Sequence, residues 1–282
     1  MTAWRGVLQQ LLGKIGGRHL DDSSSPVVVG ATSPIVVGAT GGSGTRAIHS
    51  VLARSGVFMG VRLNGAGDAM DFEPFLDEII NPTLENVRSL KYELSSLPSP
   101  YRNQALLRLR DICKCYVADR PIELRSWGWK NPRSMYILPF ICAVYPDLRF
   151  VHVIRDGRDM AVSSNQNQLR KHYGPLFGHP RRESAPIASI ELWARANLDV
   201  AAWCEVRLAK RYLQVKFEDL CTSPATTAEH LLAALGVEAD PGTVTGHIVP
   251  PKTLGNWRNQ NEQLINRLNE TGRIALEAFG YL

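Results

Sequence analysis

Short apolar runs alternate with longer amphipathic stretches along this chain of 282 residues. Runs rich in β-branched residues, or with alternating polarity, predict strands at 35–38, 149–154 and 212–217, with a short strand near 57–59. Strands separated by long helices predict an α/β protein, in which helices flank a three-layer parallel sheet with right-handed crossovers. Apolar residues three or four positions apart predict the helices, at 45–55, 72–80, 101–118, 134–145, 157–168, 187–210, 224–235 and 261–279.

A glycine-rich loop follows the first predicted strand, where residues 38–46 read GATGGSGTR. The chain then enters a helical pattern in which Ile48, Val51 and Leu52 share one face. Glycines let a ligand approach the backbone closely, and the free N–H groups at the start of a helix attract an anion. The segment therefore predicts a site for a nucleotide or another phosphorylated cofactor.

The loop differs from the Walker A loop of ATPases and GTPases. That loop carries a Lys after its last glycine, to contact the terminal phosphates. Here Gly44 is followed by Thr45 and Arg46, and the Lys is missing. An ATPase or GTPase is therefore disfavoured.

A dinucleotide-binding reductase is the second possibility for this loop. Residues 42–47 fit the dinucleotide fingerprint, and Tyr212 with Lys216 supply the letters of a short-chain reductase's catalytic pair. That pair must lie one helical turn apart, whereas the alternating polarity of 212–217 predicts a strand. A nicotinamide-dependent reductase remains as an alternative hypothesis.

A second motif follows the strand predicted at 149–154. Arg155 stands at the end of this strand, and Ser163 follows eight residues later. A guanidinium can form two hydrogen bonds to one phosphate, and a serine hydroxyl adds a neutral donor. Because ligands of parallel sheets bind at the carboxyl ends of the strands, both motifs are expected at the same edge.

These two motifs, in this order, resemble those of the sulfotransferase family. Members of that family transfer a sulfuryl group from 3′-phosphoadenosine-5′-phosphosulfate (PAPS) to a hydroxyl or amine, on a P-loop NTPase-like sulfotransferase fold. In this resemblance residues 43–45 match the loop that holds the 5′-phosphosulfate, and Arg155 with Ser163 match the 3′-phosphate motif. The resemblance covers roughly residues 34–282. Three further segments agree with the family pattern, at 127–133, 212–220 and 255–259.

The resemblance implies a site for PAPS and for its product, 3′-phosphoadenosine 5′-phosphate (PAP). Arg46 and Lys130 are the implied catalytic cations, which would neutralise the leaving oxygen or the sulfuryl group without a metal. Three positions at the site depart from the family pattern. Gly42 stands where many members carry Lys or Arg, Pro132 where many carry a catalytic His, and Ala47 where some carry an aromatic residue that stacks on adenine. The implied cofactor-binding residues are Gly41, Gly42, Ser43, Gly44, Thr45, Arg46, Arg155, Ser163, Lys252, Gly255, Trp257 and Arg258.

A carboxylate after the first helix is expected to act as the base that deprotonates the acceptor, as the resemblance implies. Asp68 is the first hypothesis, with Glu73, Asp71 and His49 as alternatives. Asp71 would also suit the start of the next helix as a cap. A non-catalytic nucleotide-binding protein on the same fold remains a further alternative. The acceptor is expected to be a small molecule, a sugar or a lipid.

Composition narrows the class of protein. The net charge of +5 suits a polyanionic ligand, while the absence of a basic stripe with interleaved aromatic residues disfavours nucleic acid. The five cysteines form no metal-ligand grouping, which favours reduced thiols in a cytoplasmic protein. No run of 18 or more apolar residues predicts a membrane span.

The N-terminal segment is predicted to be separate from the main domain. Residues 1–25 are predicted to form an amphipathic helix and a linker, and residues 26–282 a single α/β domain. The helix within 1–20 would pack on the domain, on a partner or on a membrane surface. The polar, Gly- and Pro-containing stretch at 169–186 predicts a mobile loop, in the position of a lid over the acceptor.

Overall fold

A computed structural model describes residues 33–121, 123 and 126–282 of the protein. The amphipathic helix and linker predicted over 1–25, and the boundary predicted at residue 26, lie outside the described residues. Among the described residues, no helix combines the length and the apolar character needed to cross a membrane.

The described strands form one parallel sheet, in the order β2-β1-β3-β4. They are β1 (Ile35–Gly38), β2 (Gly128–Lys130), β3 (Arg149–Ile154) and β4 (Tyr212–Lys216). Val37 pairs with Lys130 on one side and with Val151 on the other. The parallel α/β fold predicted from the sequence is thus confirmed, and so are three of the predicted strands.

The edge strand β2 was not predicted, and the strand expected near 57–59 was wrong. Phe58 forms only an isolated parallel bridge to Trp127. Gly128–Lys130 is three residues long, too short to display an alternating pattern. It pairs as a strand because β1 offers it a free edge.

Helices cover both faces of the sheet. The helices are α1 (Thr45–Arg54), α2 (Glu73–Val87), α3 (Ser99–Ala118), α4 (Leu138–Val144), α5 (Gly157–Ala161), α6 (Asn167–Phe177), α7 (Ala185–Arg207), α8 (Phe217–Thr222), α9 (Pro224–Leu235), α10 (Pro241–Thr245) and α11 (Glu262–Ala278). Short 3₁₀ turns lie at Met70–Phe72, Leu94–Ser96, Pro132–Ile137, Ala209–Arg211 and Asn256–Asn259. On one face Val36, Trp129 and Phe150 pack in a core with α2, α3, α4 and α7, and on the other Val37 and Val151 pack with α1 and α9.

Two predictions around the second motif were wrong. The helix predicted over 157–168 ends at Ala161, and a new helix, α6, begins at Asn167. The first half of the loop predicted at 169–186 is this helix, which ends where Gly178 adopts a φ of 78°. Gly174 and Pro175, which usually interrupt helices, lie within α6 and argue against a helix in the sequence. The helix is ordered by burial of Leu169, Tyr173 and Leu176, which lie on one face of it.

An aromatic cluster supports the short edge strand. Trp127 and Trp129 of this segment are fully buried, with ring centroids 6.0 Å apart. The Trp129 ring stacks on Phe72 at 4.4 Å, and Tyr116 packs against both Phe72 and Trp129. The Tyr116 hydroxyl donates a hydrogen bond of 2.8 Å to the carbonyl of Gly128. Side-chain packing thus stabilises a strand that is too short to form more than a few backbone hydrogen bonds.

Acid is expected to destabilise the fold between about pH 6.5 and pH 4 through two buried histidines. Burial lowers the pKa of His152, which lies between Tyr212 and Asn197, to about 4. Burial lowers the pKa of His172, which contacts Asn81, to about 3. Both pKa values lie below those of the unfolded chain, so the unfolded state binds protons first as the pH falls. Each histidine should cost on the order of 3 kcal/mol of unfolding free energy over this window, as measured by urea denaturation.

Substitution at His172 separates this effect from general acid denaturation. His172→Gln removes one titrating group and should reduce the pH dependence by about half, whereas His179→Gln, at an exposed position, should leave it unchanged. An unfolding free energy that is constant from pH 6.5 to 4 would contradict the prediction.

Candidate active site

The carboxyl ends of β1, β2 and β3 open into one cavity of about 890 Å³. Thr45 of the glycine-rich segment, Lys130 of β2 and Arg155 after β3 all line this cavity. The strand order places Lys130 on one side of the glycine-rich loop and Arg155 on the other. The two sequence motifs, which lie more than 100 residues apart, therefore meet in one site.

The glycine-rich loop presents backbone N–H groups to the cavity. Gly42 and Gly44 have φ values of 91° and 82°, in the left-handed region that favours glycine. Gly44 precedes the first residue of α1, and no described side chain caps the N–H groups of that turn. These groups are the donors that an anion at a helix N-terminus uses.

Residues of the loop differ in how they face the cavity. Gly41, Gly42, Gly44, Thr45 and Arg46 line it, and Arg46 is exposed. Ser43 is fully buried and does not line the cavity, because its hydroxyl donates to the carbonyl of Thr40 at 2.6 Å. The Ser43 side chain therefore fixes the shape of the loop.

Lys130 is a buried cation at the end of β2. Its ammonium group is almost fully shielded from solvent, and it donates hydrogen bonds to the Asp68 carboxylate at 2.5 Å and to the Ala66 carbonyl at 2.6 Å. Burial lowers the pKa of Lys130; the Asp68 carboxylate opposes this shift, and the cation of Arg46 adds to it. A lysine held in this way supplies a fixed positive charge with little freedom to move.

Asp68 is the acidic candidate whose carboxylate faces the cavity without an arginine partner. Besides Lys130, it accepts a hydrogen bond of 2.8 Å from the side chain of Asn64, which also lines the cavity. Glu73 lines the cavity too, but Arg133 and Asn131 bind its two oxygens. Glu73 thus forms part of a charged wall instead of presenting a free carboxylate.

The remaining candidate bases lie outside the lining of the cavity. Asp71 pairs with the exposed Arg62 at 3.2 Å. His49 packs beside Gly67, and its Nε2 atom is buried without a hydrogen-bond partner among the described residues. The pKa of His49 is lowered by burial and then by the nearby cation of Lys130, which favours the neutral imidazole.

Arg155 is almost fully buried and already has several partners. Its Nη2 donates to the Asp159 carboxylate at 3.0 Å and to the Thr253 carbonyl at 2.5 Å. Its Nη1 has a long contact of 3.4 Å with the carbonyl of Gly42. The guanidinium also lies over the ring of Phe217, 5.5 Å from its centroid.

Asp159 connects the second motif to the late segment of the chain. Its carboxylate accepts hydrogen bonds from the backbone N–H groups of Gly255, at 2.7 Å, and Trp257, at 3.1 Å. Neither Asp159 nor Thr253 is among the site residues predicted from the sequence. The spacing of Asp159 four positions after Arg155 could have suggested their ion pair. The contacts with Thr253 and with the late segment join positions nearly 100 residues apart, which no local pattern records.

Five predicted cofactor-binding residues lie near the second motif but outside the lining of the cavity: Ser163, Lys252, Gly255, Trp257 and Arg258. The Ser163 hydroxyl accepts a hydrogen bond of 3.2 Å from the Asn165 backbone N–H, and Asn165 itself lines the cavity. The guanidinium groups of Arg158 and Arg258 both lie over the Trp257 ring, 3.7 and 4.6 Å from its centroid.

The described residues contain no group of three or more His, Cys, Asp or Glu side chains that could hold a metal ion. Positive charge at the cavity is supplied by side chains of the protein, including Arg46, Lys130 and Arg155. A group that carries phosphate or sulfate charge would meet these cations and the N–H groups of the loop.

The chain is similar to known sulfotransferases. The sequence model of the sulfotransferase family matches residues 34–241, which is more than half of the chain. The sulfotransferase domain from the curacin biosynthetic pathway is 14% identical and has a TM-score of 0.51, over 85% of this chain and 97% of that one. The sulfotransferase domain from the Synechococcus PCC 7002 olefin synthase is 15% identical and has a TM-score of 0.54, over 94% of this chain and 99% of that one.

At these identities the structural likeness concerns the fold alone. No curated protein matches the chain. The match to the family model rests on the sequence itself and spans both motifs, from the glycine-rich loop to beyond β4. The chain therefore belongs to the sulfotransferase family.

Proposed function

We propose that the protein transfers a sulfuryl group from PAPS to a hydroxyl or amine of an acceptor, by in-line displacement and without a metal. The observation that carries this proposal is the convergence of Thr45 and Arg155 on one cavity of about 890 Å³. PAPS bears anionic groups at both ends of an adenosine, so it requires two anion sites in a single cavity. PAPS, when bound, would supply the sulfuryl group.

The residues around Thr45 fit the sulfated end of PAPS. Gly42 and Gly44 allow close approach of the backbone, and the uncapped N–H groups at the start of α1 would bind the 5′-phosphate. Lys130 and Arg46 line the same cavity and would stabilise charge on the leaving oxygen and the sulfuryl group. No protein rearrangement is needed to bring these groups together.

Arg155 fits the 3′-phosphate with part of its guanidinium. Nε and Nη2 donate to Asp159 and Thr253, and Nη1 has only the long contact of 3.4 Å with the Gly42 carbonyl among the described residues, so Nη1 is the nitrogen that would turn to the phosphate. The roles of Ser163, Lys252, Gly255, Trp257 and Arg258 remain predictions from the family resemblance.

Asp68 is our proposed base, with His49 as the alternative. Its carboxylate faces the cavity beside Lys130, where it would accept the proton of the acceptor hydroxyl. Glu73 is less suited to this role because Arg133 and Asn131 bind its oxygens.

The acceptor is proposed to be a small molecule, a sugar or a lipid that enters the same cavity. Polar side chains line the cavity, among them Asn131, Asn167, Gln168 and Lys171. They would bind the polar part of a hydroxylated acceptor. A cytoplasmic location, and contact of residues 1–20 with a membrane surface, also remain proposals.

The reductase alternative has no observation in its favour. Tyr212 donates or accepts a hydrogen bond with His152, whereas Lys216 donates to the carbonyl of Gly280. Neither residue lines the cavity, and both lie in β4. An assay of sulfuryl transfer distinguishes the proposed enzyme from the remaining alternative, a protein that binds the nucleotide without catalysis.

Binding and transfer assays test the proposal together. PAP should raise the melting temperature of the protein more than NADPH or ATP at equal concentration, and radiolabelled sulfate should pass from PAPS to an acceptor. Arg155→Ala should weaken PAP at least about 10-fold while changing the affinity for 5′-AMP little, because charge-assisted bonds to the 3′-phosphate are lost. Ser163→Ala should act in the same direction with a smaller effect.

Each outcome of these assays has a distinct meaning. Equal losses for PAP and 5′-AMP would contradict the 3′-phosphate role of Arg155. Tight binding of PAP without transfer to any acceptor would favour a non-catalytic binding protein. Stabilisation by NADPH alone would revive the reductase hypothesis.

A further inference from the structure

Asn64 organises the short segment that carries Asp68. Its side-chain oxygen accepts hydrogen bonds from the backbone N–H groups of Ala66 and Asp68, both at 2.9 Å. Its backbone N–H donates to the carbonyl of Asp68 at 3.1 Å, and its carbonyl accepts from the N–H of Gly67 at 2.8 Å. One exposed side chain thus closes a loop of five residues on itself.

The same side chain also reaches the carboxylate of Asp68. The Asn64 amide nitrogen donates a hydrogen bond of 2.8 Å to Oδ2, while Lys130 donates to Oδ1 at 2.5 Å. Lys130 further donates to the Ala66 carbonyl of this loop. The carboxylate is therefore held from both sides, and the ammonium group is held by the loop that Asn64 shapes.

We propose that Asn64 is a positioning residue of the transfer reaction, acting through Asp68 and Lys130. This inference rests on the proposed function. The amide donor binds one carboxylate oxygen and so fixes the direction of the free lone pairs, and a base must be oriented in this way to meet the acceptor. The two backbone contacts keep the Ala66 carbonyl in place to orient the lysine.

Asn64 is well placed for a test because it is exposed and lies in no hydrophobic cluster. Asn64→Ala removes the loop contacts and the amide donor together. Asn64→Asp keeps an oxygen for the two backbone N–H groups but replaces the donor with a second negative charge beside Asp68. The same pair of changes at Asn103, an exposed residue of α3, provides matched controls.

Two measurements are made on each variant. The first is hydrogen exchange at the backbone amides of Ala66 and Asp68 in the free protein, which requires no catalysis. The second is the pH profile of kcat with PAPS. Asn64→Ala should accelerate exchange at both amides and lower kcat about 10- to 100-fold, the usual effect of losing a group that orients a reactive residue. Asn64→Asp should keep native exchange but move the acid limb of the profile up by about one pH unit, because like charges oppose ionisation.

Several results would overturn the inference. Asn64→Asp with the same pH profile as Asn103→Asp would show that Asn64 serves only the loop. Asn64→Ala with native exchange would show that it does not organise the loop at all. A native protein that binds PAP but transfers no sulfuryl group would overturn the proposed function and this inference with it, while the exchange data would still report the role of Asn64 in the loop.

Discussion

Replacing Lys130 with methionine is expected to lower kcat about 100- to 1000-fold while leaving the Kd for PAP nearly unchanged. Lys130 is buried at the end of β2, and its charge faces the same cavity as Thr45. Charge develops on the leaving oxygen only in the transition state, so a fixed cation there favours turnover more than binding. Methionine keeps most of the volume of the side chain and removes only its charge and hydrogen bonds. Steady-state kinetics and calorimetric titration with PAP provide the two measurements.

Lys210, an exposed residue far along the chain from β2, offers the matched control. Lys210→Met should leave both kcat and Kd at native values. Lys130→Arg would keep the charge but change its position, and it should recover part of the lost turnover. A Lys130→Met variant with kcat within a few-fold of native, and with a native melting temperature, would show that Arg46 and the loop N–H groups are sufficient.

Replacing Gly44 with alanine is expected to abolish tight PAP binding and to lower the free energy of unfolding by several kcal/mol. Its φ of 82° costs an alanine about 1–2 kcal/mol. The added Cβ would also lie 2.1 Å from the ring of Phe217, so either the loop or the ring must move, at a further cost of roughly 1–3 kcal/mol. Any shift of the loop would misdirect the N–H groups at the start of α1. Urea denaturation and PAP titration measure the two effects.

Gly56 separates backbone strain from the steric clash. It has a φ of 78°, and a Cβ there would meet nothing within 4 Å. Gly56→Ala should therefore show only the smaller, conformational part of the loss and bind PAP normally. Adding Phe217→Ala to Gly44→Ala should restore part of the stability relative to Phe217→Ala alone. A Gly44→Ala variant no less stable than Gly56→Ala would contradict the clash.

The main features of the fold could be predicted from the sequence because they depend on local patterns of polar and apolar residues. The strands β1, β3 and β4 have continuous or alternating runs, and the helix after the glycine-rich loop has a clear apolar face. The edge strand β2 has three residues and depends on pairing with β1, so its own sequence carries no strand signal. The helix α6 depends on the packing of its buried face, and the contacts of that face cannot be read from its own sequence.

The candidate site likewise contains residues that local sequence patterns predict and residues that they do not. Thr45, Lys130 and Arg155 lie next to strand ends, so parallel topology alone brings them to one edge. The inward turn of Ser43 depends on the conformation of the loop itself, in which its hydroxyl donates to the Thr40 carbonyl three positions earlier. The links from Asp159 to the late segment depend on contacts between distant parts of the chain. Such contacts decide which of several candidate side chains faces the ligand, and sequence spacing does not record them.

The aromatic residues that pack against β2 affect the proposed reaction indirectly, because they hold the strand that carries Lys130. Lys130 follows Trp129 directly, and Trp129 is held by Phe72 and Tyr116. Trimming either of those rings would let the strand shift and carry the ammonium group out of alignment, although neither ring approaches a reactant. Substitutions of Phe72 and Tyr116 would therefore lower turnover as well as stability. Random mutagenesis screened for activity should recover few substitutions at these two rings.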